Sequence, residues 1–323
     1  MRRLKFVPDE TNFDFFRFAP LTFGASCVAM VLSIVLWLSV GLNFGIDFLG
    51  GTTIRTDSTN PVDVAAYRQA LNPLELGDVS ISEVFDPSFR ADQHVTMIRI
   101  QGQADQESIE ADDIARIKSA LQAVDPQIDF TSTESVGPKV SGELIEAAII
   151  AVSLAVLAIS VYIWLRFEWQ FALGAAVSLI HDVILTIGIF SALQIRFDLT
   201  TIAAILTIVG YSINDTVVIF DRLRENLRKY KQRPLRDVMN LSVNETLSRT
   251  IMTSGTTLIA LIALLVLGGD VIRGFVFAIT WGIVVGTYSS VYVAKNVVLF
   301  LGVKRDWDRK DPAAGTRFGN VDA

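Results

Sequence analysis

The 323-residue sequence holds one cysteine, Cys27, and two histidines, His94 and His181. A single cysteine excludes a disulfide framework or a cysteine metal cluster within the chain. Two histidines far apart leave little for a histidine metal site. No GxxxxGK[ST] phosphate loop, GxSxG elbow or HExxH pair occurs, so the common nucleotide-binding and hydrolase signatures fail. Positive charge is in deficit: 28 Lys and Arg against 34 Asp and Glu give a net charge of −6, and nothing offers nucleic acid the basic face it needs. No metal or cofactor is expected. Charge is also missing locally, since Pro20 to Ile46 carries none.

What replaces charge is hydrocarbon. Apolar residues make up 51% of the chain and mean hydropathy is +0.45. The excess lies in six blocks: Pro20–Ile46, longer than a signal-peptide core and without its cleavage pattern, then roughly 147–165, 169–195, 199–220, 250–269 and 274–301. Each is near the ~20 residues a helix needs to span a bilayer. The sequence therefore predicts an α-helical integral membrane protein with six transmembrane helices. Lys295, near the end of the last block, is expected to snorkel to the interface. Lys and Arg cluster in the N-terminal tail, at Arg166, in the 221–249 loop and in the C-terminal tail, so that side and both termini are expected in the cytoplasm.

The expected domain plan is a cytoplasmic tail 1–18, a first helix 19–42, an exported domain 43–141, five helices over 142–301 with the cytoplasmic loop 221–249, and a tail 302–323. The exported segment reads strand (52–56), helix (62–71), strand (79–85), strand (95–101), helix (107–124), strand (127–133), with turns at Asn60-Pro61, Asn72-Pro73, Asp86-Pro87 and Asp125-Pro126. That βαββαβ order predicts an α+β ferredoxin-like domain. Ser141 is expected to cap the second span. Within the 221–249 loop the fourth helix is expected to continue as far as Tyr230, with a break at Pro234; beyond it Leu235, Met239, Val243 and Leu247 recur every fourth residue, which predicts an amphipathic helix along the membrane surface.

Polar residues inside the apolar blocks are the candidate chemistry. Asp215 lies at membrane depth, where an ionised carboxylate costs about 2.5–3.5 kcal/mol on insertion scales. Either it titrates protons or it ties helices together. Arg249, at the start of the fifth span, reaches a compatible depth and could be its partner or an ordinary positive-inside arginine. His181-Asp182 is a possible second relay or a polar pair that orders the bundle. Ala203, Thr207, Gly210 and Asn214 form a small-residue stripe on the fourth span, Gly174 and Ser178 lead to Asp182 on the third, and Gly282 and Gly286 make a GxxxG step on the sixth. Such stripes predict close helix packing that keeps the polar residues off lipid. Gly45-Ile-Asp47-Phe-Leu-Gly50-Gly51 marks the exit from the first helix, as a capped turn or as a hinge.

Gly45–Gly51, His181-Asp182, the run Gly210-Tyr-Ser-Ile-Asn-Asp-Thr-Val-Val-Ile-Phe-Asp-Arg-Leu-Arg-Glu-Asn226 and Thr246-Leu-Ser-Arg-Thr250 together resemble the SecD/SecF family of bacterial protein-export proteins. The Asn214-Asp215 form and the chain length are similar to its smaller branch. The resemblance covers nearly the whole chain. It implies membership of the resistance–nodulation–division superfamily, in which two six-helix halves pair, so this chain would be one half and SecD the other. It implies that Asp215 and Arg249, beside Asn214, carry protons, and that the proton-motive force moves the exported domain to promote late steps of export. The implied setting is the bacterial inner membrane, with the SecYEG channel, YajC, translocating preproteins and, functionally, SecA as partners. The chain is then a proton-driven auxiliary subunit, not an enzyme. Two rivals remain at this point: an intramembrane aspartyl protease with Asp182 and Asp215 as its dyad, disfavoured by the lack of a Gly-x-Gly-Asp approach, and half of a small-molecule or lipid exporter of the same superfamily, disfavoured by the single small exported domain.

Overall fold

A computed structural model describes residues 11–101 and 111–303. The expected helix start at 107 and most of both tails lie outside those residues. Six helices are long and apolar enough to cross a membrane. They are α1 (Ala19–Val40), α5 (Pro138–Arg166), α6 (Trp169–Leu193), α7 (Leu199–Lys229), α8 (Leu235–Leu267), and α9 (Asp270–Ser289), which continues through a π-helical turn at Ser290–Ala294 into α10 (Lys295–Leu301).

Between α1 and α5 lies the β-domain. The short strand β1 (Asn43–Phe44) and a one-turn helix α2 (Ile46–Leu49) lead into β2 (Gly51–Ser58), α3 (Val64–Leu71), β3 (Val79–Val84), β4 (His94–Gln101), α4 (Ala111–Val124) and β5 (Asp129–Val136). The four long strands pair antiparallel in the order β3-β4-β2-β5. Side chains alternate across the pleat. One face of the sheet carries Ile54, Ile98 and Ile100 into a core with Tyr67, Leu71, Ile117 and Leu121 from the two helices; the other face is turned away from α3 and α4. Asp125 closes the helix-side core. It accepts hydrogen bonds from Ser58, Asn60 (2.7 Å), Tyr67 (3.2 Å) and the Gln127 amide (3.1 Å). Burial alone would raise its carboxyl, but these four donors hold it below the usual carboxylate range. Burial beside that carboxylate pushes the Tyr67 phenol up to about 12.

Several contacts join the β-domain to the helix bundle. Strand β1 pairs in parallel with β6 (Arg196–Phe197), the link between α6 and α7. The amide of Phe85 donates to Asp270 at the start of α9, whose own amide donates back to the Phe85 carbonyl. Asp47 reaches the first residue of α7.

Four expectations are corrected. Helix α5 begins at Pro138, with Gly137 as N-cap, so Ser141 lies inside the helix and donates back to the Gly137 carbonyl; proline at the first position needs no amide partner and fixes the helical φ. The fourth span continues to Lys229 and the chain breaks at Pro234, as the sequence predicts, but the expected surface helix does not exist as a separate element. Residues 235–267 form one uninterrupted helix, ~50 Å long at 1.5 Å per residue, and α7 runs to Lys229. The cause is a buried polar clasp: Asn226 donates to Ser242 (3.0 Å) and Glu245 (2.6 Å), and Arg222 donates to the same Glu245 (2.7 Å). Val238, Met239 and Val243 pack into the bundle core instead of facing a lipid surface. Lys295 does not snorkel. It is 1% exposed, with its ammonium 3.9 Å from the Phe16 ring centroid and 5.3 Å from those of Phe15 and Tyr292. The segment before α1 folds back over the helix ends and supplies two of these rings, tied down by Asn240 and Asn244 bonding the backbone of Phe13 and Phe15.

The fourth concerns the small-residue stripes. Those on α6 and α9 do pack: a Cβ on Gly174 would meet Val298 and the Ala294 carbonyl, and Gly282 and Gly286 lie against Ile208 and Ser212 of α7. The α7 stripe does not. Ala203, Thr207, Gly210 and Asn214 are all exposed, because the buried faces of α7 are already taken by α5, α6, α8 and α9.

Candidate functional site

Helix α7 turns two polar groups in different directions. Asp215 is buried, 5% exposed, and faces α8, where Ser254 Oγ donates to its Oδ2 at 3.4 Å. Ser254 is in turn hydrogen-bonded to Thr287 of α9 at 2.8 Å. Thr250 Oγ1, also buried, faces the same carboxylate outside hydrogen-bond geometry. One hydroxyl therefore satisfies one of the roughly four acceptor sites of the carboxylate.

Arg249 begins the turn of α8 nearest this carboxylate, but it is exposed. It forms no ion pair within 4 Å among the described residues. Asn214 also points away, on the exposed stripe. Of Asp215, Arg249 and Asn214, only Asp215 lies in the interior.

His181 and Asp182 are fully buried on α6. His181 Nδ1 lies 2.9 Å from Asp182 Oδ1, and Asp182 Oδ2 accepts from Ser212 of α7 (2.6 Å) and Ser289 of α9 (2.9 Å). Ser178 donates to Ser289 (2.9 Å), and Ser290 pairs with Thr216 (2.8 Å). His181 Nε2 is buried with no partner. Asp182 is thus a junction of three helices, and it shares no hydrogen bond with Asp215: the two carboxylates bind different hydroxyls. A dyad holding one proton between two carboxyls needs them in contact. This arrangement lacks that contact.

The hydroxyls Ser254, Thr287, Ser289 and Ser290 are the part of the site that motif reasoning missed. The available signal was their recurrence in otherwise apolar blocks, with Ser289-Ser290 opening the π-helical turn. Such turns are often found at functional positions.

The glycine-rich exit from α1 is a clamp. Gly50 and Gly51 have φ of +74° and +134°, a region that favours glycine. A Cβ on Gly45 would sit 3.0 Å from Arg196 Nε, so that residue is small because a guanidinium passes it. Asp47 Oδ2 accepts the Leu199 amide at 3.0 Å, capping the helix that carries Asp215.

Comparison with known proteins agrees with this architecture. The family described as protein export membrane protein SecD/SecF, C-terminal, matches residues 116–304, and the SecD/SecF GG motif matches residues 35–62. The protein translocase subunit SecF of Cereibacter sphaeroides is 68% identical over 321 residues, covering 99% of both chains; that of Rhodobacter capsulatus is 65% identical over 317, covering 96% of this chain and 95% of its own. The crystal structure of SecDF from Thermus thermophilus, a translocon-associated membrane protein, superposes with a TM-score of 0.79 at 34% identity, over 91% of this chain and 39% of that one. A SecDF structure in a super-membrane-facing form gives 0.67 at 35% identity, over 90% and 39%. This chain belongs to the SecD/SecF family of protein-export membrane proteins, alongside the SecF subunits of the protein translocase.

Proposed function

We propose that the chain couples proton passage at Asp215 to motion of its β-domain, promoting late steps of polypeptide export across a bacterial inner membrane. The observation that carries this reading is the path along α7. An interior carboxylate with unfilled acceptor capacity lies on the same helix whose first amide is held by Asp47 of the β-domain junction. Protonation, or approach of Arg249 by a change of side-chain rotamer, are the two ways to fill that capacity. Alternation between them would move α7 against α8 and pull on the junction. One proton crossing 100 mV supplies about 2.3 kcal/mol, enough to bias two near-equal states roughly fifty-fold and far too little to unfold a stable domain at once. The work is therefore ratcheting or release, with no covalent catalysis. His181-Asp182 serves as a second relay or as the pivot of three helices.

The β-domain is read as ferredoxin-like and periplasmic. The strand order supports the first reading. The arginines and lysines of 222–236, on the far side of the bundle, support the second and a cytoplasmic location for both termini. The exposed stripe Ala203-Thr207-Gly210-Asn214 fits a second six-helix half of SecD type, with SecYEG, YajC, SecA and the exported preprotein as further partners.

The test follows import of a secretory protein into inverted inner-membrane vesicles with SecA and ATP, with and without an imposed proton gradient. Asp215→Asn should abolish the gradient-dependent part and spare the ATP-driven part. An unchanged gradient response at equal protein level would make Asp215 structural.

A further inference from the structure

The face of the β-sheet turned away from α3 and α4 carries an unbalanced pair of cations that the proton reading does not use. Arg99 projects from β4 on that face, and Arg196 rises from β6 to meet it. Arg99 Nη2 lies 2.7 Å from Met97 Sδ, and Arg196 Nη1 is 4.0 Å from the same sulfur. Two guanidiniums thus converge on one thioether, a weak acceptor. The Nε of each is buried and without a partner, and so is the hydroxyl of Thr53, directly across the ladder from Arg99. Neither arginine forms an ion pair among the described residues. Burial first, and then the neighbouring Arg196, push the Arg99 guanidinium down to about 10, with Asp198 opposing, so Arg99 stays cationic at neutral pH. Two half-buried like charges, each with a buried orphan Nε donor, are costly unless something anionic joins them.

The space for that anion exists. A cavity of about 210 Å³ opens beside the two arginines, lined also by Gly45, Gly50, Ser80 and Gln101. It is below the size of drug-sized ligand sites. The carboxylates nearby are mostly engaged. Asp198 caps α7 through the Thr201 amide and both threonine hydroxyls, and Asp47 holds the Leu199 amide. Asp78 lines the mouth but is exposed.

We propose that Arg99 and Arg196 form a binding site for a single phosphate group between the β-domain and the membrane helices. Arginine is suited to this task, because its planar fork bonds phosphate bidentately and desolvates more cheaply than lysine. Strand β6 joins the ends of two membrane helices, the level at which lipid headgroups lie. The phosphate therefore comes from an anionic lipid headgroup or from free phosphate, and in either case it bridges sheet to bundle. Asp78, exposed at the mouth, is the like charge that opposes an incoming anion.

The experiment uses the full-length chain in neutral detergent. The probes are short-chain phosphatidylglycerol below its micellar concentration and, separately, inorganic phosphate, read by thermal midpoint and by 31P line width. The native chain should gain several degrees with at least one probe. Arg99→Gln and Arg196→Gln should each weaken apparent affinity at least tenfold, while melting no lower than the native chain without probe, since a like-charge repulsion is removed. Arg196→Lys keeps the charge but loses the fork and should fall between. Asp78→Asn should bind more tightly, and Arg90→Gln, exposed elsewhere on the domain, should bind like the native chain. A response to phosphatidylglycerol alone assigns the lipid source; a response to inorganic phosphate assigns the free ion. No response to either probe, or one that survives in both glutamine variants, overturns the site.

Discussion

Asp47 and Leu199 are joined by a 3.0 Å hydrogen bond from the Leu199 amide to the Asp47 carboxylate, so the turn after the first membrane helix caps the fourth. From that amide to Asp215 is roughly 24 Å along one helix at 1.5 Å per residue. Asp47→Ala removes this acceptor of the Leu199 amide and leaves the Asp198 N-cap in place. It should cost about 0.5–2 kcal/mol in the detergent-solubilised chain and uncouple export from the gradient while Asp215 stays intact. Asp47→Asn, which keeps an acceptor oxygen, should retain most of both. Paired thermal melts and gradient-dependent vesicle import check this.

Ser254 is the hydroxyl on Asp215. Ser254→Ala should slow gradient-dependent import several-fold without abolishing it, because the titrating group remains. Asp215→Asn should abolish that component. A Ser254→Ala chain indistinguishable from native over the pH range of the import assay would remove this contact from the proton path.

The exposed α7 stripe makes a prediction about association. A Cβ on Gly210 meets nothing within 4 Å in this chain. Gly210→Leu should therefore leave the melting of the isolated chain almost unchanged and break co-purification with a SecD-type subunit. Gly282→Val should do the reverse, destabilising the chain itself by driving a side chain into Ile208; overpacking of this kind costs about 1–3 kcal/mol. Gly255, with open space around it, should accept alanine and gain about 0.5–1 kcal/mol of helix propensity.

The Asp125 cluster sets the pH limits of the β-domain. The Asp125 carboxyl is held below its ordinary value of about 3.9, so its contribution is complete above that value and is lost as pH falls through the lower folded-state pKa. Tyr67 has the opposite sign. Its phenol is raised to about 12, so its contribution is complete below about 10 and disappears as pH rises toward 12. Hydrogen exchange of β2 and β5 in the full-length chain should show protection lost at both extremes, with the acid limb removed in Asp125→Asn. Equal acid sensitivity in that variant would assign the limb to other carboxylates.

Hydropathy period and turn residues determined six spans and the order of strands and helices between the first two, because those signals are local: a bilayer demands ~20 apolar residues, and Pro and Asn-Pro steps stop elements wherever they occur. The choice of Asp215 was local too, since a carboxylate in an apolar block is conspicuous by composition alone. Which way each side chain points was not local. Asn214 adjoins Asp215 in sequence yet faces outward, because 100° of helix rotation separates neighbours and the buried faces of α7 were already filled. Arg249 begins the turn of α8 nearest Asp215 but makes no ion-pair contact among the described residues, since position along a helix axis leaves rotation about it free. The four-residue repeat from Leu235 is the same for a surface helix and for a helix packed in a bundle; the Asn226–Ser242–Glu245 clasp decided between them. The cage of rings around Lys295 and the facing arginines at 99 and 196 join residues far apart in the chain. No spacing rule carries such pairs, and only the tertiary packing of sheet, tail and helix ends brought them together.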